Sequence, residues 1–444
     1  MSDLFVIGAS GTRAYRAAMA AVSENIANAS TQGYARRSVH TVEANAGGSM
    51  IYYSARTQFG GTQVGGVDRA TDPYLDAGVR STAMALNSAN ARLRWQSDME
   101  NVLNDTPTGV GQLMTTLYQN MDKLAASPSN RSLRVTTLDS IARVAEAFRQ
   151  TAGDVKQVQS GIQVEAQSSV AAINRALTNL ANVNDGLLRT QPGTSAYAQL
   201  LDNRDAALLE LSANANVDIS FGDKGLAEVK FAGQTLVSGV NASALMLAQG
   251  TDGRLSLATT QGATLPAPTS GTLGGLFASA QTAAERYASL DTLAQQFATG
   301  LNQWHAAGQT DAGGSGAPLL SYGGSPEAMM ALLSDPAQLA LKSADGTPNG
   351  NLLTVGATLR GNGSAEQGWT ALIAGHAAML GATKAEQTTA QQRSDQAVSA
   401  REAVSGVDLD MEAADLLRLQ QAYSASARVL QIAKETVDSI LQII

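Results

Sequence analysis

Apolar positions along this chain fall into long helical stripes at both ends and through the middle, with one stretch of two-residue alternation between them. Near the C-terminus Leu409, Leu416, Tyr423, Leu430, Val437 and Ile444 recur at seven-residue intervals. Leu419, Ala433 and Ile440 supply much of the companion position three residues later. A seven-residue apolar repeat keeps one seam of a helix against a partner, so the segment predicts a coiled-coil strand. Ser405 followed by Asp408 has capping-box spacing, which predicts a helix start there. Asp408, Asp410 and Glu412 place negative charge at the positive end of its dipole. The stripe stays apolar through Leu441, Ile443 and Ile444. Such an end predicts cover from another segment or another molecule.

Residues 1 to about 29 predict a second amphipathic helix, with Leu4, Ile7, Gly11, Ala14 or Tyr15, Ala18, Val22 and Ile26 at three- and four-residue steps. The stripe is thin and rich in Gly and Ala, which lets a partner helix approach closely. Arg13, Arg16, Arg36 and Arg37 stand against Asp3 and Glu24, whereas the last helix carries six acids and three bases. The two ends are therefore complementary in stripe and mildly in charge, and the pattern predicts that they close on each other.

Between them, Thr71-Asp72-Pro73 opens a helix lined by Leu75, Val79, Leu86 and Leu93 and ending near Asn104. Further helices are predicted at 111–126, 132–188, 197–211, 276–307 and 369–404. The longest carries its apolar face from Leu138 and Ile141 to Leu180 and Val183, and at ~1.5 Å per residue would run about 85 Å. At Val217 the period switches to two. Residues 217–221, 227–231, 235–237 and 254–257 read as strands between Gly-containing turns. Residues 39–67 read as short strands and loops, with the Gly60-Gly61 and Gly65-Gly66 pairs as turns. Residues 308–365, rich in Gly, Ser and Pro, predict no regular element. The fold expected is mainly α: paired terminal coiled-coil helices (1–45 with 400–444), a long-helix bundle body (46–212 with 272–399) and a small inserted β domain (213–271).

Composition narrows the chemistry. With 38 Asp and Glu against 30 Lys and Arg, the chain lacks the basic surface that nucleic acid demands. Without cysteine it has neither disulfides nor thiolate metal sites. No run approaches the ~20 apolar residues of a membrane span. Asp3 stands where a secretory leader carries positive charge, and Leu4–Ile7 is too short for its apolar core. Export, if it occurs, is expected without a cleaved leader.

His40, His305 and His376 lie in different segments, so a catalytic or zinc constellation from them is improbable on spacing alone, and a structural role for His305 is the better reading. No nucleophile elbow, zinc-binding His pair or phosphate loop is present. Asp311-Ala312-Gly313-Gly314 lacks the alternate oxygens of a calcium loop. Asp202, Asp205 and Glu210, with Arg204 between them, read as paired charges on a solvated helix. The expectation is no enzyme, no cofactor and no metal.

The first helix runs into Asn25-Ile26-Ala27-Asn28-Ala29-Ser30-Thr31-Gln32-Gly33-Tyr34, where Asn, Ser and Thr build a turn and Gly33 supplies positive φ. This segment resembles the N-terminal signature of the bacterial flagellar axial proteins (rod, hook and hook-associated), Asn-x-x-Asn-x-x-Thr-x-Gly-Tyr. Ser405 to Glu412, followed by Gln420, Gln421, Tyr423 and Ala425, is similar to the hook-associated protein 1 family of hook–filament junction proteins, with Met411 where that family usually has an acid. Arg69, Asp72, Leu75 and Arg80 resemble the opening of its first body helix, and Leu200 to Asp205 its Leu-x-Asp-x-Arg-Asp segment.

The resemblance implies a structural, self-assembling protein whose terminal helices line the inner tube of a helical or ring homo-oligomer. It implies secretion by type III export to the extracellular flagellum, a cytosolic export chaperone on the last helix, and contacts to hook protein and the second hook–filament junction protein. It implies no nucleic acid and no membrane partner. Assembly-interface residues are expected at Leu4, Ile7, Tyr15, Val22, Asn25, Ile26, Asn28, Thr31, Gly33, Tyr34, Leu409, Leu416, Leu419, Tyr423, Leu430, Val437, Ile440 and Ile444. Two alternatives are another axial station (hook or distal rod) and, from a different class, a secreted hydrolase using carboxylates within 217–365. The hydrolase predicts activity in a chain lacking both ends; the axial station is opposed by the Ser405–Glu412 segment and the long helical middle.

Overall fold

The computed structural model describes residues 2–31, 33–44 and 60–442. In chain order, α1 (Ser2–Ala27) leads to a two-stranded antiparallel sheet, β1 (Arg37–Glu43) with β2 (Thr62–Arg69). Then come α2 (Pro73–Leu103), α3 (Val110–Ala126), α4 (Arg131–Arg189) and α5 (Ser195–Asn214). Seven short strands follow: β3 (Asp218–Phe221), β4 (Ala227–Phe231), β5 (Gln234–Ser238), β6 (Asn241–Ala242), β7 (Leu245–Gln249), β8 (Leu255–Thr259) and β9 (Thr264–Leu265). α6 (Gly271–Ala307), a two-residue pair β10 (Leu320–Ser321) and β11 (Met330–Ala331), and the single turn α7 (Val355–Thr358) precede α8 (Ala365–Ser405) and α9 (Leu409–Leu441). The fold is mainly α, as the periodicity predicts.

The chain divides into two compact units. The first comprises residues 1–85, 172–244 and 391–444, and so holds both ends of the chain. The second comprises 86–171 and 245–390. The alternating segment is split by this division. β3 to β6 form a four-stranded antiparallel meander in the first unit, and β7 to β9 a three-stranded one in the second. Residues 213–271 read as one insert from the sequence, where no strand is assigned at β6 or β7, the two strands on either side of the division at Ala244.

In the first unit Asn184 of α4 is fully buried. Its carboxamide donates to Ala227 O (2.9 Å) and Gly239 O (2.8 Å) and accepts from Ala227 N (3.0 Å). One polar side chain thus holds the four-stranded sheet to the helix. β1 and β2 place His40 opposite Gly66. A Cβ at Gly65 would come within 2.4 Å of the His40 ring. Gly65 and Gly66 are therefore strand residues that leave room for an imidazole, and the turn expected there is not formed.

In the second unit the α4 stripe is buried as the period requires, from Leu138 through Val170. Phe148 meets Phe297 of α6 with ring centroids 5.8 Å apart. Gly161 lies directly beneath Trp95 of α2, where a Cβ would come within 2.5 Å of the indole. Of the predicted α2 face, Val79 is buried in the first unit, but over the residues of α2 in the second unit a different face turns inward from the one Leu86 and Leu93 suggest. Trp95, Met99 and Leu103 are buried, while Leu86 and Leu93 are half-buried. The indole fits over Gly161, and the helix phase follows it.

Residues 308–365 are organised from the end of α6. Asn302 accepts from Leu319 N (2.7 Å) and Leu320 N (3.0 Å). Trp304 donates its indole N–H to Asn351 O (2.9 Å), and Asn351 Nδ2 donates to Trp304 O (3.0 Å) and Ala340 O (2.8 Å). Side-chain-to-backbone bonds replace the regular ladder here, so no periodicity announces the fold.

Candidate assembly site

α1 and α9, at opposite ends of the sequence, pack against each other in the first unit. The pairing is antiparallel. Asn25 meets Glu412, Gly11 lies under Ser426 and Gly8 under Leu430. A Cβ on Gly8 would sit 2.7 Å from Leu430 Cγ, and one on Gly11 would sit 2.8 Å from Ser426 Oγ. The small residues of α1 are therefore what brings the two helices close. On α1 the shielded positions are Gly8, Gly11, Ala14, Ala21, Val22 and Asn25, with Ile7, Tyr15 and Ile26 half-buried.

On α9, Glu412 and Ala433 are buried, and Leu416, Leu419, Leu430 and Val437 are half-buried. Leu409, Tyr423, Ile440 and, on α1, Leu4 are exposed. The seam within one chain thus covers only part of the predicted stripe, and Ile444 lies outside the described residues.

The start of α9 differs from the expected capping box. Ser405 is the last residue of α8, and its hydroxyl donates to Arg401 O (2.9 Å). The cap is Asp408, whose Oδ1 accepts from Asp410 N (3.0 Å) and Met411 N (3.1 Å). An aspartate two and three residues before those amides reaches both directly, which leaves Ser405 free to finish the preceding helix. Asp410 and Glu412 fall in the first turn, as the charge pattern predicts.

The turn after α1 is built around Asn25, which is fully buried. Its Nδ2 donates to Arg37 O (2.8 Å) and to Glu412 Oε2 (3.0 Å). Its Oδ1 accepts from Arg37 N (2.9 Å) and from the Tyr34 hydroxyl (2.8 Å). All four hydrogen-bonding positions of the carboxamide are filled, and they join α1, the turn, β1 and α9. Asn28 donates to Glu24 O (2.9 Å), and Thr31 N donates to Asn28 O (2.9 Å), closing the turn. Gly33 follows with φ +82°, the conformation for which glycine is suited. Burial, opposed by the Arg37 charge, pushes the Tyr34 hydroxyl up to about 12, so it stays a donor to Asn25. Arg36 N then donates to Ser405 O (2.9 Å), tying the turn to the end of α8.

An ionic network lies behind this clasp. Arg37 Nη2 pairs with Asp202 (2.7 Å), and Arg69 pairs with Asp202 (2.6 Å) and Asp205 (2.8 Å). Arg204 Nη2 also holds Asp205, at 2.6 Å. The Asp202 and Asp205 side chains are only 13 and 12 % exposed, so they are interior groups joining α5 to the β1–β2 sheet. The solvated helix face expected for them is not found. Two of the arginines that pair with them, Arg37 and Arg69, lie more than 130 residues away in sequence, beyond any local spacing rule, whereas Arg204 holds its neighbour Asp205 as a local charge pair.

The three histidines stay apart in use. His40 pairs with Asp68 on the surface. His305, with no solvent exposure, bonds Ala317 O through Nδ1 (2.6 Å) and accepts from Ala340 N at Nε2 (2.8 Å). These partners assign the neutral Nδ1–H tautomer and a structural role. His376 is buried against Gln96 O (2.8 Å). Among the described residues no group of three or more His, Cys, Asp or Glu is placed to hold a metal, and no helix is long and apolar enough to cross a membrane.

Residues 400–443 match the family described as flagellar basal body rod FlgEFG protein C-terminal, the segment that supplies α9. Flagellar hook-associated protein 1 of Bacillus subtilis is 24% identical over 485 residues, covering 96% of this chain and 95% of that protein. Flagellar hook-associated protein 1 of Salmonella typhimurium is 27% identical over 339 residues, covering 73% of this chain and 60% of its own length. Against that longer relative the chain spans under two thirds. The solved flagellar hook junction protein FlgK from Burkholderia pseudomallei shares the fold over 55% of this chain and 46% of its own, with a TM-score of 0.50 at 21% identity. Residues 96–320 match the flagellar hook-associated protein FlgK helical domain, and because that match alone spans just over half of the sequence, the chain belongs to the FlgK family of flagellar hook-associated proteins.

Proposed function

We propose that this chain is a structural subunit of the hook–filament junction of the bacterial flagellum, and that it polymerises through the α1–α9 pair. The observation that carries the reading is the antiparallel seam itself. It is closed by Asn25–Glu412 and by Leu430 over Gly8, yet Leu4, Phe5, Leu409, Leu417, Tyr423 and Ile432 remain exposed around it. Apolar surface on a narrow helical pair gains by burial against further copies. The exposed members of the predicted stripe are the residues left for that contact. The rest of the first unit anchors the pair through buried ion pairs and the Asn25 bonds. Hook protein, the second junction protein and an export chaperone are the partners this reading implies.

The test is removal of residues 405–444. A soluble, helical protein that is secreted but cannot support filament growth is the expected result. Filament growth with the truncated chain would rule out assembly through the terminal pair. Imaging isolated hook–basal bodies with the chain labelled then separates the junction from hook and distal rod.

A further inference from the structure

Between α7 and α8, in the second unit, the chain turns through Gly361-Asn362-Gly363-Ser364, with Asn362 and Gly363 exposed at the tip. Ser364 N donates to Gly361 O (3.1 Å), and Gly363 has φ +76°, the value that the third residue of a type II turn takes. Among the described residues the Asn362 carboxamide has no hydrogen-bond partner. The Gly363 amide donates to Gln367 Oε1 (3.1 Å), and its carbonyl accepts from Gln296 Nε2. Both glutamines are exposed, and a turn held from its solvent side opens at little cost.

Asparagine followed by glycine occurs once more in the sequence, at Asn349-Gly350, in a different setting. There Asn349 Nδ2 donates to Ala125 O at the end of α3 (2.8 Å), and Gly350 N donates to Thr347 O (3.0 Å). A Cβ on Gly350 would fall 2.0 Å from Ser343 Oγ, and both residues are half-buried. The two pairs therefore share their chemistry and differ in their restraint.

An asparagine before glycine holds an electrophile and a nucleophile side by side, because glycine has no Cβ to keep its backbone nitrogen from the asparagine Cγ. We propose that Asn362 is a site of spontaneous deamidation through attack by the Gly363 amide nitrogen. The Gly363 N–H gives its proton to solvent, the nitrogen bonds to Asn362 Cγ, and Nδ2 leaves as ammonia. Water then opens the resulting imide ring. Cleavage between the nitrogen and Cγ yields aspartate, and cleavage between the nitrogen and the Asn362 main-chain carbonyl carbon yields isoaspartate. Water is consumed and ammonia released in equal amounts, with no oxidation or reduction.

The acid so formed lands on a neutral surface. Asn362 lines a cavity of about 810 Å³ between α6 and the 357–365 segment, and no described residue lining it carries a charge. Arg360 and Glu366 flank the turn but pair with each other at 2.9 Å. A carboxylate at 362 also stands just before α8, at the positive end of its dipole, so the folded chain tolerates it.

The test is peptide mapping of the full-length chain aged in heavy-oxygen water at pH 8 and pH 6, with fragmentation that separates aspartate from isoaspartate. In the folded chain Asn362 should convert at least about tenfold faster than Asn349. Both products should carry the heavy isotope, and conversion should be faster at pH 8, since the attacking nitrogen must shed its proton. In denaturing urea the two pairs lose their surroundings, and their rates should converge. Ion-exchange chromatography of the aged chain should resolve a more acidic species that keeps the helical circular dichroism of the fresh chain and is missing from Asn362→Gln. No conversion at Asn362, equal rates in the folded chain, or aspartate without isoaspartate overturns the proposal. So does a rate difference that persists in urea, or an acidic species that is unfolded.

Discussion

Asn25 donates to Glu412 at 3.0 Å across 387 residues of sequence, a buried polar bond between the two ends of the chain beside the packing of Leu430 over Gly8. The same carboxamide holds Arg37 and Tyr34, so its loss leaves several buried groups unpaired at once. Each such group costs about 1–3 kcal/mol. Asn25→Ala is therefore expected to destabilise the first unit by about 2–4 kcal/mol. Asn25→Asp should be worse at neutral pH, because it sets a second carboxylate against Glu412, and should improve as pH falls and one of the two takes a proton. Urea denaturation at pH 7 and pH 5 checks both. Equal stability of the two variants at both values would show that Asn25 is only a turn former.

The buried arginine–aspartate network makes a second, separable prediction. Arg69 reaches both Asp202 and Asp205, and Arg69→Gln leaves two interior carboxylates short of positive charge. Removing one partner of a buried pair costs about 3–5 kcal/mol. Arg69→Lys should recover only part of this, since an ammonium cannot span both acids as the fork does. Amide exchange at β1, β2 and α5 is the direct readout. Unchanged protection in Arg69→Gln would mean that the network contributes nothing net to holding the sheet.

The difference between Leu138 and Asp202 shows what the sequence makes legible. Leu138 to Leu180 repeat at helical spacing, and the structure buries them as one helix face. The stripe is a local property, and the 3.6-residue period carries it. Asp202 reads locally as a solvated helical charge, yet it is interior because Arg37 and Arg69 arrive from another part of the chain. Asn184 and Asn351 fail to announce themselves for the same reason, since each is defined by backbone partners far from it or in irregular loops. The turn at Asn25 was legible as a turn, from its Asn, Thr and Gly. Its reach to Glu412 was not, because no spacing rule spans two chain ends.

The two buried histidines give a pH prediction for the second unit. Burial holds His305 below the ordinary range, against the Ala317 carbonyl that favours its proton. Burial also lowers His376, whose Nδ1 has no partner among the described residues. Arg286 opposes a second charge there and Glu100 favours one. The unfolded chain therefore binds more protons below about pH 6.5. Stability should be complete above that pH and fall as pH drops toward the folded values, by about 1.4 kcal/mol per pH unit for each ring. Denaturation midpoints between pH 7.5 and 5.5 measure the slope. His305→Gln with His376→Gln should flatten it, and an equally steep slope in the double variant would place the acid sensitivity in the carboxylates.

The last prediction separates the seam from an ordinary core helix. Leu430 covers Gly8 so closely that a Cβ there would lie 2.7 Å from its Cγ. Gly8→Ala should therefore push the helices apart, at about 1–3 kcal/mol if the leucine cannot turn aside. Shortening the leucine in the double variant Gly8→Ala with Leu430→Ala should restore much of that loss, because the new methyl fills the space vacated. Leu430→Asp is harsher, since it sets a carboxylate into the seam against Gly8, at a cost of several kcal/mol or an open seam. The second unit does not contain this residue, so its amide protection and the chain's secretion should survive, while filament attachment fails and flagellin escapes into the medium. Arg428 is exposed on α9, and Arg428→Asp should be far milder. If Leu430→Asp and Arg428→Asp behave alike, or if Leu430→Asp unfolds the second unit as well, α9 is a core helix of the free protein and assembly must use another surface.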